Sequence, residues 1–353
     1  MQKLLMKIYT IKDIARLAGV SVTTVSRVLN HRPDVNHETR EKVERIIAEC
    51  HFVGNANARG LKQTEVEMVA MILRGRRNPF LNELAEAILQ AASDNQLALC
   101  TEFIDESADE FRTAWQMYRE KRACGFIFVG SLVDKRAHVL DHVDVPMVFV
   151  TVDTQNTLMD RASSVSINDR QMGHDVMKAL LDRGHTRIAM FGGDRDSGDC
   201  FSKRYQGALD ACREAGVAFD PERYVQTRFS LAHAGDETRA FFQRKPDTTA
   251  VFCMGDTVAT GVIRALRDMG KRVPEDVSVF GYDGTELSSY LIPRLSTVQQ
   301  PIAEIADRSV AVLAELLGGA SQTQHIVVPA SIELRESVTE AQRTLCTPHG
   351  SAV

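Results

Sequence analysis

Thr10-Ile-Lys-Asp-Ile-Ala-Arg-Leu-Ala-Gly-Val-Ser-Val-Thr-Thr-Val-Ser-Arg-Val-Leu-Asn30 decides the fold of the first domain. Ile11, Ile14, Ala15 and Ala18 recur at helical spacing, which predicts a short amphipathic helix. Gly19 then suits a left-handed C-cap, and Ser21 suits the N-cap of a second helix over Val22–Leu29. Ala15, Gly19 and Val25 stand at i, i+4 and i+10. That spacing supplies a small residue at a helix crossing, a turn residue and a core contact from the second helix, as a helix-turn-helix requires. Asn36, with Glu38 in the following turn, predicts a third helix to about residue 50 that buries Val43, Ile46 and Ile47. Three short helices around one core make a DNA-binding headpiece over residues 1–53.

The charge is distributed to match. The net charge of -5 is that of the whole 353-residue chain, but residues 1–62 carry 11 Lys/Arg against 6 Asp/Glu. The remainder carries 31 against 41, so a basic end suited to phosphate is attached to an acidic body. Length alone suits two or three domains, and 44% hydrophobic with 25% charged residues is an ordinary globular balance. No apolar run approaches the roughly 20 residues of a membrane span. Residues 1–10 lack a signal-peptide core and cleavage site, so a cytoplasmic, nucleoid-associated protein with no membrane partner is expected. Met6 is an alternative start to Met1.

Catalytic chemistry finds little support. The seven cysteines form no Cys-x-x-Cys pair, which argues against a disulfide framework and a zinc site. Of ten histidines, His174 and His185 flank one predicted helix without sharing a face, and no His-Glu-x-x-His element occurs. Gly192-Gly193 follows a predicted strand but no phosphate cradle accompanies it. The expectation is a binding protein, not an enzyme, with no cofactor and no metal.

Beyond Lys62, β-branched apolar runs at 66–73, 97–104, 125–129, 147–152, 187–191, 250–254 and 277–281 alternate with helical stretches at 81–94, 106–122, 170–183, 204–215, 232–242, 258–269 and 302–317. This alternation implies parallel sheets with crossover helices. Four early and three later strands, split near 153–164, imply two three-layer lobes. Ligands of such lobes bind beyond the carboxyl ends of the strands, which singles out Asn78, Pro79 and Phe80, the Arg-x-x-Gly element Arg204 to Gly207, Gly255 with Asp256, and Tyr282 with Asp283.

The run from Thr10 to Asn30, then Val35, Thr39, Arg40 and Val43, and the stretch Asn55-Ala-Asn-Ala-Arg-Gly-Leu61, resemble the LacI/GalR repressor family. The resemblance implies a helix-turn-helix headpiece, a hinge helix at 54–62 and a two-lobed periplasmic-binding-protein-like α/β domain at 63–340. It divides that domain into 63–160 plus 293–323 and 161–292 plus 324–340; the tail at 341–353, with Leu345 and Val353 as its only larger aliphatics and with Pro348 and Gly350, is expected to be disordered. By the same resemblance Val22, Thr23 and Arg27 meet base edges in the major groove. The chemistry agrees, since Arg27 can bond guanine bidentately, Thr23 offers a methyl and a hydroxyl, and Val22 can pack on a thymine methyl. Thr10, Ser21, Thr24, Ser26 and Asn30 suit phosphates. The hinge, with Asn55 and Arg59, is too short to be a stable helix alone, and in the family it pushes a leucine, here Leu61, into the minor groove. Gly54 stands where the family commonly has proline.

The resemblance further implies a homodimer on a pseudo-palindromic double-stranded operator and a small-molecule effector bound by Asn78, Phe80, Arg204, Asp256 and Asp283. Gly255 departs from the lactose-sensing pattern, which has asparagine before this aspartate. A sugar or sugar derivative, a purine, a nucleoside and a phosphorylated ligand all remain compatible with these residues, as do induction and corepression. Ligand-driven reorientation of the lobes, changing how the paired hinges meet the operator, is the expected mechanism of a carbohydrate-gene repressor.

Overall fold

Apart from Ser163–Ser166, the interior strands of the second part of the chain are apolar on both faces, and that pattern builds layered lobes. The computed structural model describes residues 10–29, 32, 35–50 and 68–341. Asn30, the hinge with Asn55, Arg59 and Leu61, and the tail beyond Ala341 lie outside the described residues. The chain divides into two units, 1–66 and 67–353.

In the first unit, α1 (Ile11–Ala18), α2 (Val22–Leu29) and α3 (His37–Glu49) enclose Ile14, Ala15, Ala18, Val25, Val28 and Val43. Thr10 caps α1 through a capping box with Asp13. Gly19 ends it at φ 64°, ψ 32°, the left-handed conformation that a residue without Cβ adopts at least cost. The Ser21 hydroxyl accepts from Thr24 N at 3.1 Å, and Asn36 Oδ1 accepts from Thr39 N at 3.0 Å, capping α2 and α3. Ile46 and Ile47 pack against the core partly buried.

The second unit holds three sheets. β1 (Met68–Arg74), β2 (Ala98–Ile104), β3 (Ala123–Val129), β4 (Met147–Val150), β5 (Ser163–Ser166) and β11 (His325–Val327) form an all-parallel sheet in the order β11-β5-β4-β3-β1-β2. Val69, Met71 and Leu73 of β1 face α4 (Pro79–Asp94) and α10 (Ile302–Leu317), whereas Ala70 and Ile72 face α5 (Glu110–Lys121). The period of two thus divides one apolar run between two cores. A second parallel sheet, β7 (Tyr224–Gln226), β6 (Ile188–Gly192), β8 (Ala250–Cys253) and β9 (Ser278–Phe280), lies between α6 (Asp169–Leu181) with α7 (Cys200–Glu214) and α8 (Leu231–Arg244) with α9 (Asp256–Asp268). β10 (Thr297–Gln299) and β12 (Ser331–Glu333) pair antiparallel as a ribbon.

The lobe limits read from sequence need correction. Residues 163–166 and 325–327, assigned there to the second lobe, hydrogen-bond into the first sheet. Ser-Ser-Val-Ser at β5 offers no apolar run, which is why the sequence shows no strand there. Ser296, assigned to the return into the first lobe, still bridges Phe280 of the second sheet, so that return begins only along β10. The chain passes between sheets three times, after β5, along β10 and along β12.

Among the described residues no helix is long and apolar enough to cross a membrane, and no cluster of three or more His, Cys, Asp or Glu could hold a metal.

Candidate nucleic-acid interface and ligand cavity

In the first unit α2 carries its apolar contacts on one face and its polar groups on the other. Val25 and Val28 are buried, while Val22, Thr23 and Arg27 are exposed at the helix surface. Val22 is 41% exposed, although a valine at the start of a helix gains nothing from water there. Ser21 and Thr24 share a 2.9 Å hydroxyl contact, and Thr10 donates its hydroxyl to Asp13 at 2.7 Å, so these three side chains double as caps. Ser26 is half-buried on the same helix.

In the second unit a cavity of about 430 Å³ opens beyond the carboxyl ends of the strands, walled by both lobes. Asn78, Phe80, Arg204 and Asp283 all line it. Asn78 also caps α4, accepting from Phe80 N at 3.1 Å. Arg204 is set by the packing of α6 on α7. A Cβ on Gly173 would overlap the Arg204 backbone, and one on Gly207 would overlap the Arg170 carbonyl, so only glycine permits this approach. The approach brings Arg204 Nε to 2.7 Å from Asp169 Oδ1, with Nη1 2.9 Å from the Met254 carbonyl. The guanidinium lies 3.6 Å from the Tyr282 ring centre, and Tyr282 donates its hydroxyl to Asp169 Oδ1 at 2.9 Å. Neither of the two bonds from Arg204 uses Nη2.

Asp283 sits at φ 117°, a conformation that costs a residue with a side chain on the order of 1–3 kcal/mol and persists only where its surroundings hold it. Gln300 Nε2 donates to its carboxylate at 2.9 Å. Burial pushes the carboxyl well above the ordinary aspartate range, against the pull of Arg204.

Asp256, grouped by sequence with the ligand-facing residues, does not line the cavity. It is the first residue of α9, and its carboxylate accepts from Thr285 N at 2.8 Å, Thr285 Oγ1 at 3.0 Å and Thr297 Oγ1 at 2.7 Å. Those donors consume its acceptor capacity and tie the segment around Asp283 to β10. Burial still pushes its pKa up to about 6. Tyr282, buried beneath Arg204, likewise supports the wall from behind.

The sequence reading missed a set of arginines. Arg74 ends β1, Arg76 and Arg77 follow it, and Arg228 follows β7, all lining the cavity. Phe201 and Phe229 add rings 5.1 Å apart. Every one lies at or beyond a strand's carboxyl end or at a helix start, the same signal that marks Asn78 and Asp283 in the sequence.

Residues 10–55 match the model of bacterial regulatory proteins of the lacI family, and residues 158–338 match that of a periplasmic binding protein-like domain. A ribose operon repressor of Haemophilus influenzae is 32% identical over 330 residues, covering 93% of this chain and 98% of that one. The HTH-type transcriptional repressor PurR of Vibrio vulnificus is 34% identical over 315 residues, covering 87% and 91%. Among solved structures, the lac repressor dimer bound to operator and the anti-inducer ONPF superposes with a TM-score of 0.73 at 26% identity, covering 94% of this chain and 100% of that one.

Proposed function

Because the chain belongs to the LacI family of DNA-binding transcriptional regulators, with a periplasmic-binding-protein-like effector domain, we propose that it represses carbohydrate-utilisation genes and that a sugar or sugar derivative in the cavity lowers its operator affinity. The family is non-enzymatic, so the cavity binds its ligand without turning it over. One observation carries the effector reading: Arg204 is buried in the cavity wall with two donors committed and its orientation fixed by Asp169 and Tyr282. A guanidinium held this way can bond vicinal hydroxyls, and Asp283 supplies a complementary acceptor. The name of the ribose operon repressor supports a sugar as the ligand class.

In this reading Val22, Thr23 and Arg27 read base edges, and Thr10, Ser21, Thr24, Ser26 and Asn30 hold phosphates. Asn55, Arg59 and Leu61 serve the hinge. The protein acts as a homodimer on a pseudo-palindromic site in the nucleoid, because one headpiece reads too few base pairs to compete with genomic DNA.

The test is fluorescence anisotropy of a labelled operator-region duplex titrated with the protein, with and without candidate sugars. An inducer is expected to weaken binding by roughly five- to 150-fold, the range that about 1–3 kcal/mol of coupling provides. Arg204→Ala abolishes that response and leaves ligand-free operator affinity intact. Asp283→Asn, which keeps the Arg204–Asp169 pair, serves as the second variant. A ligand that strengthens binding would make the protein a corepressor-dependent regulator, and absence of specific DNA binding overturns the proposal.

A further inference from the structure

We propose that the effector carries an oxyanion, so that the ligand is an acidic monosaccharide held by Arg74, Arg76, Arg77 and Arg228. The inference rests on the cavity being the effector site and adds the chemical class of its occupant.

Arginines line this cavity from both lobes, with Arg74, Arg76 and Arg77 on one wall and Arg228 on the other. Among the described residues none of the four is locked in an ion pair, although Arg76 and Arg77 act through space on Asp105 and Arg74 on Glu110 and Asp134. Arg74 donates Nη2 to the backbone carbonyl of Glu106, a neutral acceptor, and its Nε is buried with no hydrogen-bond partner. An unpaired donor of a charged group has lost water and gained nothing in return. The exposed Arg76, Arg77 and Arg228 suit an oxyanion, because a guanidinium matches carboxylate and phosphate geometry with two parallel bonds.

Four acids, Asp105, Glu106, Asp199 and Asp283, line the same cavity, and most of them hold hydrogen bonds of their own. Asp105 accepts from Ser107 N at 3.0 Å and Ser107 Oγ at 2.7 Å, and feels Arg76 and Arg77 only through space. Asp199 caps α7 through Phe201 N and Ser202 N. Glu110, behind Arg74, accepts from Ser131 Oγ at 2.7 Å and Leu132 N at 3.0 Å. The five arginines of the lining exceed its four acids by one, so lobe closure on a neutral sugar would bring guanidinium groups of the two walls together with an excess of positive charge. An anion between them turns that repulsion into attraction from both sides, and a volume of about 430 Å³ suits a monosaccharide with one acidic group.

The experiment is isothermal titration calorimetry on the full chain with hexose 6-phosphates, hexuronates and aldonates of gluco, galacto and manno configuration, each beside its neutral parent. At least one acidic sugar is expected to bind roughly a hundredfold more tightly than its parent, with affinity falling as salt rises. Preference for the 6-phosphates identifies a phosphate ligand, and preference for hexuronates or aldonates a carboxylate ligand. The Arg76→Gln/Arg77→Gln double variant and Arg228→Gln, all at exposed positions, should each lose roughly tenfold or more for the acidic sugar and little for the parent. Equal binding of a neutral parent, undiminished binding by these variants, or binding of none of the acidic sugars overturns the proposal. Repeating the titrations with operator duplex separates the two readings. A neutral sugar that shifts operator affinity defeats the oxyanion and leaves regulation standing, whereas an acidic sugar that binds without changing operator affinity does the reverse.

Discussion

His174 shows how a single side chain can report the packing of two helices. Its Nε2 lies 2.9 Å from Glu214 Oε2 on α7, and its Nδ1 lies 3.0 Å from Asp175 Oδ1 on its own helix. Both ring nitrogens can donate only when the imidazole is protonated. The Glu214 bond first, then the Asp175 bond, raise its pKa above the ordinary 6.5. A group raised on folding contributes stability that is fully present below its unfolded pKa and is lost as pH rises through the folded one. The gap in melting temperature between the protein and His174→Ala should therefore be widest near pH 6 and shrink toward pH 8.5. A gap that stays constant or widens over that range in thermal melts removes the ion pairs from the account. Arg204 is the contrasting case, since its pairing with Asp169 is buried and neither group can retreat to water. Removing one member of such a pair costs more than the pair contributes, and this is why Asp283→Asn accompanies Arg204→Ala as a probe of ligand response.

Helix packing carries that arginine into place, and the α6–α7 contact depends on two glycines. Gly207→Ala would drive a Cβ into the Arg170 carbonyl, and backbone cannot yield as a flexible side chain does. Urea unfolding should show a loss of about 1–3 kcal/mol, together with weaker effector binding as Arg204 moves off Asp169. Unchanged stability would mean that the helices separate without cost. The long elements were legible because their patterns are strong: 302–317 was read as the helix Ile302–Leu317, and β1 and β3 were found as apolar runs. Boundaries moved where a cap lay outside the apolar pattern. Asp109 starts α5 four residues later than the periodicity suggests, after Asp105 and Ser107 close a turn, and Asp199 starts α7 four residues before Arg204. Strands of three or four residues with only one aliphatic each, β5, β7, β10 and β12 among them, are too short to leave a periodic trace. At the cavity, Asn78, Phe80, Arg204 and Asp283 were readable from strand ends, but Asp256 was not, since its role depends on Thr285 and Thr297, which are distant in sequence.

Taken whole, the second unit is threaded so that the first sheet is not made from one continuous stretch of chain, and the second, though continuous over 188–280, is met at β9 by a segment near the end. His325 pairs with Ser164, and Val279 donates to Ser337. A chain stopped at residue 320 would lack β11 and β12, leaving the edge of β5 and the strand β10 without their hydrogen-bond ladders. We expect that product to bind a hydrophobic dye and sediment as aggregate, whereas a chain stopped at residue 341 keeps all twelve strands of the described residues and melts cooperatively. Cooperative melting of the shorter product in calorimetry would show that the late strands are dispensable. The same threading bears on synthesis. A ribosome delivers β1 to β5 early, but the sheet they begin stays open along β5 until His325–Val327 has left the exit tunnel, so the nascent protein must be sheltered for nearly its whole translation. A message cut short upstream of that point yields a polypeptide that bears the DNA-binding headpiece but cannot close its sensor, and its open edge marks it for the cell's quality control.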